Sequence, residues 1–423
     1  MSQSHTTNPI RRILIASLIG TTIEFFDFYI YATAAVLVFP KLFFPSASAT
    51  AATLQSFATF ALAFFARPFG AALFGHFGDR KGRKATLVAA LMTMGPSTVA
   101  IGLLPGYQTI GIMAPILLCL FRFGQGLGLG GEWGGAVLLA IENAPKGKKS
   151  WYGMFPQLGA PIGLLFSIGI FFILQRIMKS EQFLDFGWRI PFIASALLVL
   201  VGLYVRLKIA ETPDFKNMIE KNERAKVPVK DVFTKHTKAI ILGTFVSVTT
   251  FLLFYLMNVF TLSWGTSALH YSKDSFLVAQ MISVIFFGIG IPFSAVLAGR
   301  YGRANILIVA TVLIFLFGLT FSSLFSASSW VITTVFLLLG MFLMGLTYGP
   351  LGTALAGIFP AAVRYTGASL AFTLAGILGA SLTPALATKL ATLYGLNYVG
   401  YYLSFAAAIT FLALVVARSS MKE

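Results

Sequence analysis

Three acidic residues, Glu24, Asp27 and Glu132, lie well inside long apolar stretches of this sequence. A charge at the centre of a bilayer costs about 2.5–3.5 kcal/mol on insertion scales, so such residues face a cavity or a partner. Glu24 and Asp27 are three residues apart and project from one side of a helix. Two neighbouring carboxylates in a low dielectric resist being ionised together, so this pair is suited to binding and releasing a proton. The alternative is a structural pair locked by hydrogen bonds or by an arginine.

Arg122 is a second candidate, because its guanidinium stays charged inside the apolar stretch that also holds Glu132. It is suited to neutralising Asp27 or Glu24, to holding a ligand carboxylate through paired hydrogen bonds, or to alternating between them. Alternation would couple a proton to an anion, whereas a static ion pair would not. Gln125 lies one turn further along this face. Glu132 points about 80° away from Arg122 around the helix, so coupling and helix packing both stay open for it.

The second half of the sequence has no acidic residue inside an apolar stretch. Beyond the central polar segment its only acids are Asp274 and Glu423. Its polar groups inside apolar stretches are mainly aromatic and hydroxyl side chains, and they include Tyr255, Asn258 and Tyr348. These three are candidates for hydrogen bonds to a bound ligand, and packing inside the protein core is the alternative.

Twelve stretches of about 20 mostly apolar residues are long enough to cross a bilayer. They lie at about 13–38, 52–74, 85–104, 112–140, 152–175, 190–207, 239–264, 276–298, 305–325, 331–357, 366–388 and 398–417. We therefore predict an all-α integral membrane protein with twelve transmembrane helices. The polar stretch 209–238 divides it into two six-helix bundles, 1–208 and 239–423, which it joins as a cytoplasmic linker loop.

The composition excludes the soluble classes of protein. Apolar residues make up 57% of the 423 residues and charged residues only 11%, against roughly 25% in soluble domains, and the mean hydropathy is +0.85. The net charge of +17 does not indicate nucleic-acid binding, because the basic residues lie in short segments between apolar runs. Cys119 is the only cysteine, which excludes a disulfide framework. No pattern of histidines suits a metal or a catalytic triad, so we predict no cofactor, no metal and no enzyme activity.

The distribution of Lys and Arg predicts the orientation in the membrane. With the N-terminus inside, the inside segments and their edges hold 23 of the 31 basic residues, and Arg206 is counted there as a residue that flanks the central loop. The outside segments and their edges hold six. We therefore expect a multi-pass protein with both termini cytoplasmic.

A weak internal repeat relates the two halves. GHFGDRKGRK (Gly75–Lys84) is echoed by AVLAGRYGRA (Ala295–Ala304), with Gly82 and Arg83 aligned on Gly302 and Arg303. Each segment lies between the second and third apolar stretch of its half. Two related halves with a site between them near the midplane are typical of secondary transporters.

These segments resemble a known family. GHFGDRKGRK is similar to the loop signature between helices 2 and 3 of the major facilitator superfamily, and RFGQGLGLGGEWGGA (Arg122–Ala136) is similar to its helix-4 motif. The metabolite:proton symporter branch is matched more closely, also through IEFFDFYIY, FGWRIPF, ETPDF and FPAAVRYTGAS. The resemblance runs nearly end to end. Members of this branch carry shikimate, oxoglutarate, citrate, proline or betaine together with a proton.

The resemblance implies a conformational latch at the cytoplasmic mouth, made of Asp79, Arg80, Gly82, Arg83 and Lys84. Asp79 is suited to capping a helix N-terminus and to pairing with Arg83. Arg67 precedes Pro68 in the second apolar stretch, and the family pattern resembles this Arg-Pro pair. We assign Arg67 to the latch, tied to Asp79 or to backbone carbonyls at that helix end, and contact with the substrate is the alternative. In the second half Gly299 replaces the acid, which predicts a weaker latch.

The predicted function is proton-coupled symport of a small organic acid or zwitterion by alternating access, in a bacterial-type cytoplasmic (inner) membrane. The expected partners are this solute, protons and the lipid bilayer, with no nucleic acid and a monomeric chain. One alternative is a drug:proton antiporter of the same fold, which would need an acid-lined cavity. The other is a transporter-like sensor or a membrane enzyme, which would need a signalling domain or a nucleophile and a base. Sodium in place of protons also stays open.

Overall fold

The computed structural model describes residues 10–45, 49–208, 211–220, 227–326 and 329–421, and most of them are helical. In this described part, eleven helical segments are long and apolar enough to cross a membrane, and a shorter apolar helix occupies the ninth position. In chain order they are α1 Ile10–Leu37, α2 Ala49–Lys81, α3 Arg83–Leu103, α4 Met113–Glu142, α5 Lys149–Ile177, α6 Ser180–Leu207, α7 Thr237–Ser267, α8 Lys273–Tyr301, α9 Arg303–Leu319, α10 Trp330–Ile358, α11 Ala361–Tyr394 and α12 Leu396–Met421. The predicted all-α membrane fold is confirmed.

The ninth helix, α9, is shorter than the others and ends at Leu319. Its 17 residues rise about 26 Å, slightly less than the roughly 30 Å of a hydrocarbon core. Thr320 then donates from Oγ1 to the Phe317 carbonyl at 3.0 Å, and the short helix Phe321–Leu324 follows at once. The two helices together cover the predicted stretch 305–325.

The outer surface of the helical bundle carries large exposed apolar side chains in both halves. Phe69 is 65% exposed, Leu197 67%, Val331 69% and Phe405 66%. Soluble monomers rarely expose extended apolar surface, whereas lipid tails solvate it. The side chains of Glu24, Asp27 and Glu132, in contrast, are fully buried.

One backbone conformation recurs in the two halves. α2 continues to Lys81 and α3 begins at Arg83, so the signature segment is helical on both sides of Gly82. Gly82 has φ 117°, and Gly302, between α8 and α9, has φ 85°. Glycine adopts such positive φ values readily because it has no Cβ. The aligned glycines of the sequence repeat therefore make the same kind of sharp junction.

The central polar segment, which we predicted as the linker loop 209–238, contains short helices. Its described parts include two short helices, Pro213–Glu220 and Pro228–Lys235. Each begins with a proline, whose fixed φ and missing N–H suit the first turn of a helix. Phe215 and Val232 are buried, so both helices pack an apolar side against the rest of the protein.

Glycines let α4 pack closely against α2. A Cβ on Gly130 would overlap the backbone carbonyl oxygen of Arg67, and a Cβ on Gly70 would overlap that of Leu127. Small residues at such crossings allow helix backbones in a membrane to approach each other. The glycines of α4 therefore fix the position of the α2 backbone at Arg67.

We expect Gly130→Ala to destabilise the protein, because the added methyl group would push α4 away from α2. Overpacking of this kind costs about 1–3 kcal/mol. Gly169→Ala is the matched control, since a Cβ there meets nothing within 4 Å. Thermal unfolding of the two purified variants in one detergent measures the difference. Equal unfolding midpoints would contradict the close crossing of α2 and α4.

Candidate functional site

A small cavity lies between the first six and the last six helices. Its volume is about 30 Å³, roughly the space that one water molecule occupies. Helices α1, α2 and α5 form one side, and α7, α8, α10 and α11 form the other. The residues that line it are Phe25, Phe28, Tyr29, Arg67, Ala160, Thr250, Phe251, Phe254, Tyr255, Phe287, Met344, Tyr348 and Phe372.

Arg67 is the only charged side chain among these lining residues. It is 3% exposed, and its guanidinium carbon lies 6.0, 5.8 and 5.6 Å from the ring centroids of Phe28, Phe64 and Phe372. Its Nε has no hydrogen-bond partner in the described part of the chain. Asp79 lies about 18 Å further along α2, so the predicted tie of Arg67 to Asp79 or to carbonyls at that helix end is wrong.

Arg206, near the end of α6, is buried against α1, α3 and α4. Its Nη1 donates to the Leu87 carbonyl at 2.9 Å, and its Nη2 forms an ion pair with Glu132. Nη2 also lies against Gly20, where a Cβ would come within 2.8 Å of it. We counted Arg206 as a loop-flanking residue from its position in the sequence. The signal that would have identified it is the apolar run GLYV directly before it, which places Arg206 inside the predicted stretch 190–207.

Glu24 is fully buried on α1, one turn after Gly20. Neither of its carboxylate oxygens has a hydrogen-bond partner among the described residues. The two cations whose charge acts on it are Arg67 and Arg206. Glu24 therefore lies within the electrostatic influence of both Arg67 and Arg206.

Asp27 faces α3 and α6. Its Oδ1 accepts a hydrogen bond from Ser195 at 2.6 Å, and its Oδ2 has no partner within the described ranges. Thr98 lies beside it and accepts a hydrogen bond from Gln125 Nε2 at 2.7 Å. Gln125 Oε1 in turn accepts from Arg122 Nη1 at 2.9 Å. A chain of polar groups thus runs from Arg122 through Gln125 and Thr98 to Asp27.

Arg122 does not pair directly with an acid of α1, which corrects our expectation. Its polar partner is Gln125, and its guanidinium carbon lies 3.9 Å from the ring centroid of Tyr31 and 4.5 Å from that of Phe28. Phe28 also lines the cavity, so its ring separates Arg122 from that space. Arg122 and Gln125, both predicted to bind the solute, are therefore outside the cavity lining in this conformation.

Of the three candidates in the second half, Tyr255 and Tyr348 lie in the cavity lining and Asn258 does not. Asn258 donates from Nδ2 to the Phe254 carbonyl at 2.9 Å. It belongs to a π-helical turn, Leu256–Phe260, which interrupts the α-helical period of α7. Spacing by three residues therefore does not place Asn258 on the face of Tyr255.

Consecutive helices alternate in direction. The α2–α3 and α10–α11 junctions therefore lie at the same end of the bundle as Ile10 and Met421, the first and last residues of the helices described above. We call this the basic end, because the segments there hold most of the Lys and Arg residues.

Asp79 joins the two halves at the basic end. It accepts backbone hydrogen bonds from Tyr365 at 3.3 Å and Thr366 at 3.0 Å, and a third from Thr366 Oγ1 at 2.8 Å. A carboxylate is favourable at such a helix N-terminus. Asp79 thus joins the first half to the start of α11.

A buried ion-pair network extends this contact. Arg83 pairs with Asp79 at 3.2 Å and with Glu142 at 3.3 Å. Glu142 accepts a hydrogen bond from Thr212 Oγ1 at 2.6 Å and lies 3.7 Å from the guanidinium of Arg364, on α11. The network therefore links α2, α3, α4, the central segment and α11.

The other predicted latch residues have different positions. Lys84 donates from Nζ to the Leu207 carbonyl at 2.8 Å, whereas Arg80 is exposed and Gly82 forms the junction described above. In the second half, Arg303 Nε donates to the Met421 carbonyl at 2.6 Å. A Cβ on Gly299 would meet nothing within 4 Å, so this position holds no contact corresponding to that of Asp79.

Aromatic and amide groups join the halves next to the cavity. Trp133 of α4 stacks on Phe372 of α11, with ring centroids 3.6 Å apart. Trp133 also donates from Nε1 to Gln157 Oε1 at 2.8 Å, and Gln157 Nε2 donates to the Tyr348 carbonyl at 2.7 Å. At the end opposite the basic end, the described halves share an exposed ion pair of 3.3 Å between Arg176 and Asp274. The stronger polar closure is at the basic end.

Comparison with known proteins identifies the family. The model for "Sugar (and other) transporter" matches residues 13–232, more than half of the chain. The chain belongs to this transporter family. The predicted membership is confirmed, and so is the prediction that the chain is a membrane transporter and not an enzyme.

Three curated relatives match along nearly the whole chain. The inner membrane metabolite transport protein YhjE of Escherichia coli is 54% identical, over 98% of this chain and 96% of its own. The shikimate transporter of Escherichia coli is 35% identical over 97% and 95%. The proline/betaine transporter of Salmonella typhimurium is 33% identical over 98% and 84%. The chain therefore belongs to the same family as these metabolite transporters.

A solved structure shows the same fold. The proton:xylose symporter XylE, bound to 6-bromo-6-deoxy-D-glucose, superposes with a TM-score of 0.77 and covers 98% of this chain and 96% of its own. The sequence identity is 17%. This similarity confirms the twelve-helix arrangement in two bundles.

Proposed function

We propose that the chain is a proton-coupled symporter of a small organic acid or zwitterion. The observation that carries this proposal is the pair Glu24 and Asp27, two fully buried carboxyl groups on a helix that lines the cavity. Three of their four oxygens have no hydrogen-bond partner among the described residues. An unpaired carboxylate is costly inside a membrane, and binding a proton removes that cost. The relatives named for shikimate, proline and betaine carry solutes with one carboxyl group each.

Asp27 is the proposed coupling residue. Its uptake of a proton would change the hydrogen bonds of Ser195 and Thr98, and through Gln125 those of Arg122. Arg122 is buried and has two nitrogens, Nε and Nη2, without partners in the described part of the chain. A change in the charge of Asp27 would therefore affect Arg122, whose guanidinium packs against Phe28 in the cavity wall.

The unequal closure of the two ends supports transport by alternating access. A cavity of about 30 Å³ is too small for a metabolite, since small-molecule sites enclose about 300–1,000 Å³. The halves must therefore separate to admit a solute. The Asp79 and Arg83 network closes the basic end in this conformation, and its release would open that side.

We propose further that the basic end faces the cytoplasm of a bacterial-type inner membrane. The excess of Lys and Arg in the segments at this end supports the orientation. The name of the relative that is 54% identical supports the location. The proposed functional units are 1–208 and 239–423, each moving as a body around the cavity, in a monomeric chain.

The test is uptake by proteoliposomes that contain the purified full-length chain. We expect an inward-directed proton gradient to drive accumulation of at least one compound from a panel of shikimate, oxoglutarate, citrate, proline and glycine betaine. Dissipating the gradient with a protonophore should remove the accumulation, and a sodium gradient alone should not restore it. Symport is refuted if no compound gives gradient-dependent uptake. Efflux of cationic dyes would favour the antiporter, although the cavity arginine argues against a cationic solute.

A further inference from the structure

The cavity has a largely aromatic lining that includes one charged side chain. Nine of its thirteen lining residues are aromatic, and three of these are tyrosines. No lining residue carries a carboxylate or an amide side chain, and the remaining polar ones are Thr250 and Arg67. Such a lining offers ring faces on most sides and one permanent charge.

Arg67 has unused hydrogen-bonding capacity at this position. A guanidinium carries five N–H donors in a planar fork. The rings of Phe28, Phe64 and Phe372, at 5.6 to 6.0 Å, attract its charge but accept no conventional hydrogen bond from it. Gly130 and the α4 backbone hold the Arg67 backbone in place from behind. A carboxylate that accepts two parallel bonds from the fork is the ligand group that fits best.

We propose that Arg67 binds the carboxylate of a small monocarboxylate, whose body packs against the aromatic rings of the cavity. This inference rests on the proposed transport function and names the substrate class of the same cavity. The body is apolar or a quaternary ammonium group, because ring faces stabilise both. Arg67 is thereby a substrate-binding residue and not part of the latch.

The same lining excludes other solutes of similar size. A second carboxylate would lie against the negative faces of the rings with no cation to pair with, which is costly in a buried site. A sugar would bring several hydroxyl groups, and those without a partner would lose their hydrogen bonds to water. A cationic solute without a carboxylate would be repelled by Arg67.

Glu24 sets how strongly Arg67 attracts an anion. It does not line the cavity, yet its charge acts on Arg67. The other charged or titratable groups whose charges interact with Glu24 come from four helices and are Tyr29 on α1, Arg206 on α6, Tyr348 on α10 and Tyr365 on α11. An ionised Glu24 competes with a solute carboxylate for Arg67, so removing its charge should strengthen solute binding.

The first experiment measures thermal stabilisation of the purified full-length protein, because a ligand of the folded state raises the unfolding midpoint. The probes are glycine betaine and cyclohexanecarboxylate. Their matched controls are cyclohexanecarboxamide, choline, succinate and xylose. We expect at least one monocarboxylate to stabilise the protein and all four controls to leave it unchanged. Equal stabilisation by succinate, xylose or cyclohexanecarboxamide would overturn the proposal, as would stabilisation by no monocarboxylate.

The second experiment compares Arg67→Gln with Arg176→Gln, which changes an exposed arginine. Loss of a charged hydrogen-bond pair should weaken binding of the active monocarboxylate by about tenfold to a hundredfold in Arg67→Gln. Binding to Arg176→Gln should be unchanged. If Arg67→Gln does not fold, Glu24→Gln provides a second test. This variant should bind the monocarboxylate more tightly than the wild-type chain does. Weaker or equal binding in Glu24→Gln would contradict a carboxylate at Arg67.

The two proposals fail in different ways. If monocarboxylates bind but no proton gradient drives their uptake, the symport proposal fails and the substrate class stands. If a proton gradient drives uptake of oxoglutarate or citrate and no monocarboxylate binds, the substrate class fails and symport stands.

Discussion

Replacing Asp27 by asparagine is expected to abolish accumulation of the solute while leaving exchange of solute across the membrane measurable. Asparagine has nearly the same shape as a protonated aspartate, and its oxygen can still accept the hydrogen bond from Ser195. It cannot take up or release a proton. The variant should therefore be held in the equivalent of the protonated state, which binds the solute and changes conformation when loaded. The empty, deprotonated return step is lost.

The measurement uses proteoliposomes and any panel compound that the wild-type chain accumulates. In Asp27→Asn, gradient-driven uptake should fall to the level found without a gradient, whereas exchange of labelled for unlabelled compound should persist. Asp185→Asn is the matched control, because Asp185 is exposed and its replacement should preserve both activities. Accumulation by Asp27→Asn at the wild-type level would eliminate Asp27 as the coupling residue.

The sequence identified Glu24 and Asp27 as buried acids of α1, but it did not show that they face different neighbours. An acidic residue in an apolar run is visible from composition alone, and its burial follows from the cost of charge in lipid. A spacing of three residues corresponds to about 60° around a helix. That angle is enough to direct Asp27 towards Ser195 and Glu24 towards Arg67 and Arg206. The neighbours of each acid depend on how α1 packs against α2, α3 and α6. This packing cannot be predicted from the local sequence of α1.

The basic end shows the same limit of local patterns. The sequence predicted that Asp79 caps a helix and pairs with Arg83, and both side chains are drawn into one network. The helix that Asp79 caps begins near Tyr365, far away in the chain. FPAAVRYTGAS was recognisable as a motif, but nothing within it points to Asp79. Short-range chemistry was readable from the sequence, whereas contacts between the halves required the fold.

Arg206 is the residue whose loss should cost the most stability. It is 4% exposed and forms the buried ion pair with Glu132, and its charge also acts on Glu24. Arg206→Met would leave Glu132 without its cation inside the bundle and would remove one of the two cations whose charge acts on Glu24. Removing one partner of a buried pair costs about 3–5 kcal/mol, because the remaining charge is uncompensated. We therefore expect a much lower unfolding midpoint and a poor yield of folded protein.

The control for this prediction is Arg176→Met, which breaks an ion pair whose side chains are 63% and 68% exposed. Exposed pairs contribute at most about 1 kcal/mol, so its midpoint should stay close to that of the wild-type chain. Adding Glu132→Gln to Arg206→Met should recover part of the lost stability, because it removes the charge that has lost its partner. Thermal unfolding in one detergent compares the three variants with the wild-type chain. If Arg206→Met unfolded at the same temperature as Arg176→Met, Arg206 would not be the counter-ion that holds α1, α4 and α6 together. Arg67 alone would then neutralise the charge of Glu24.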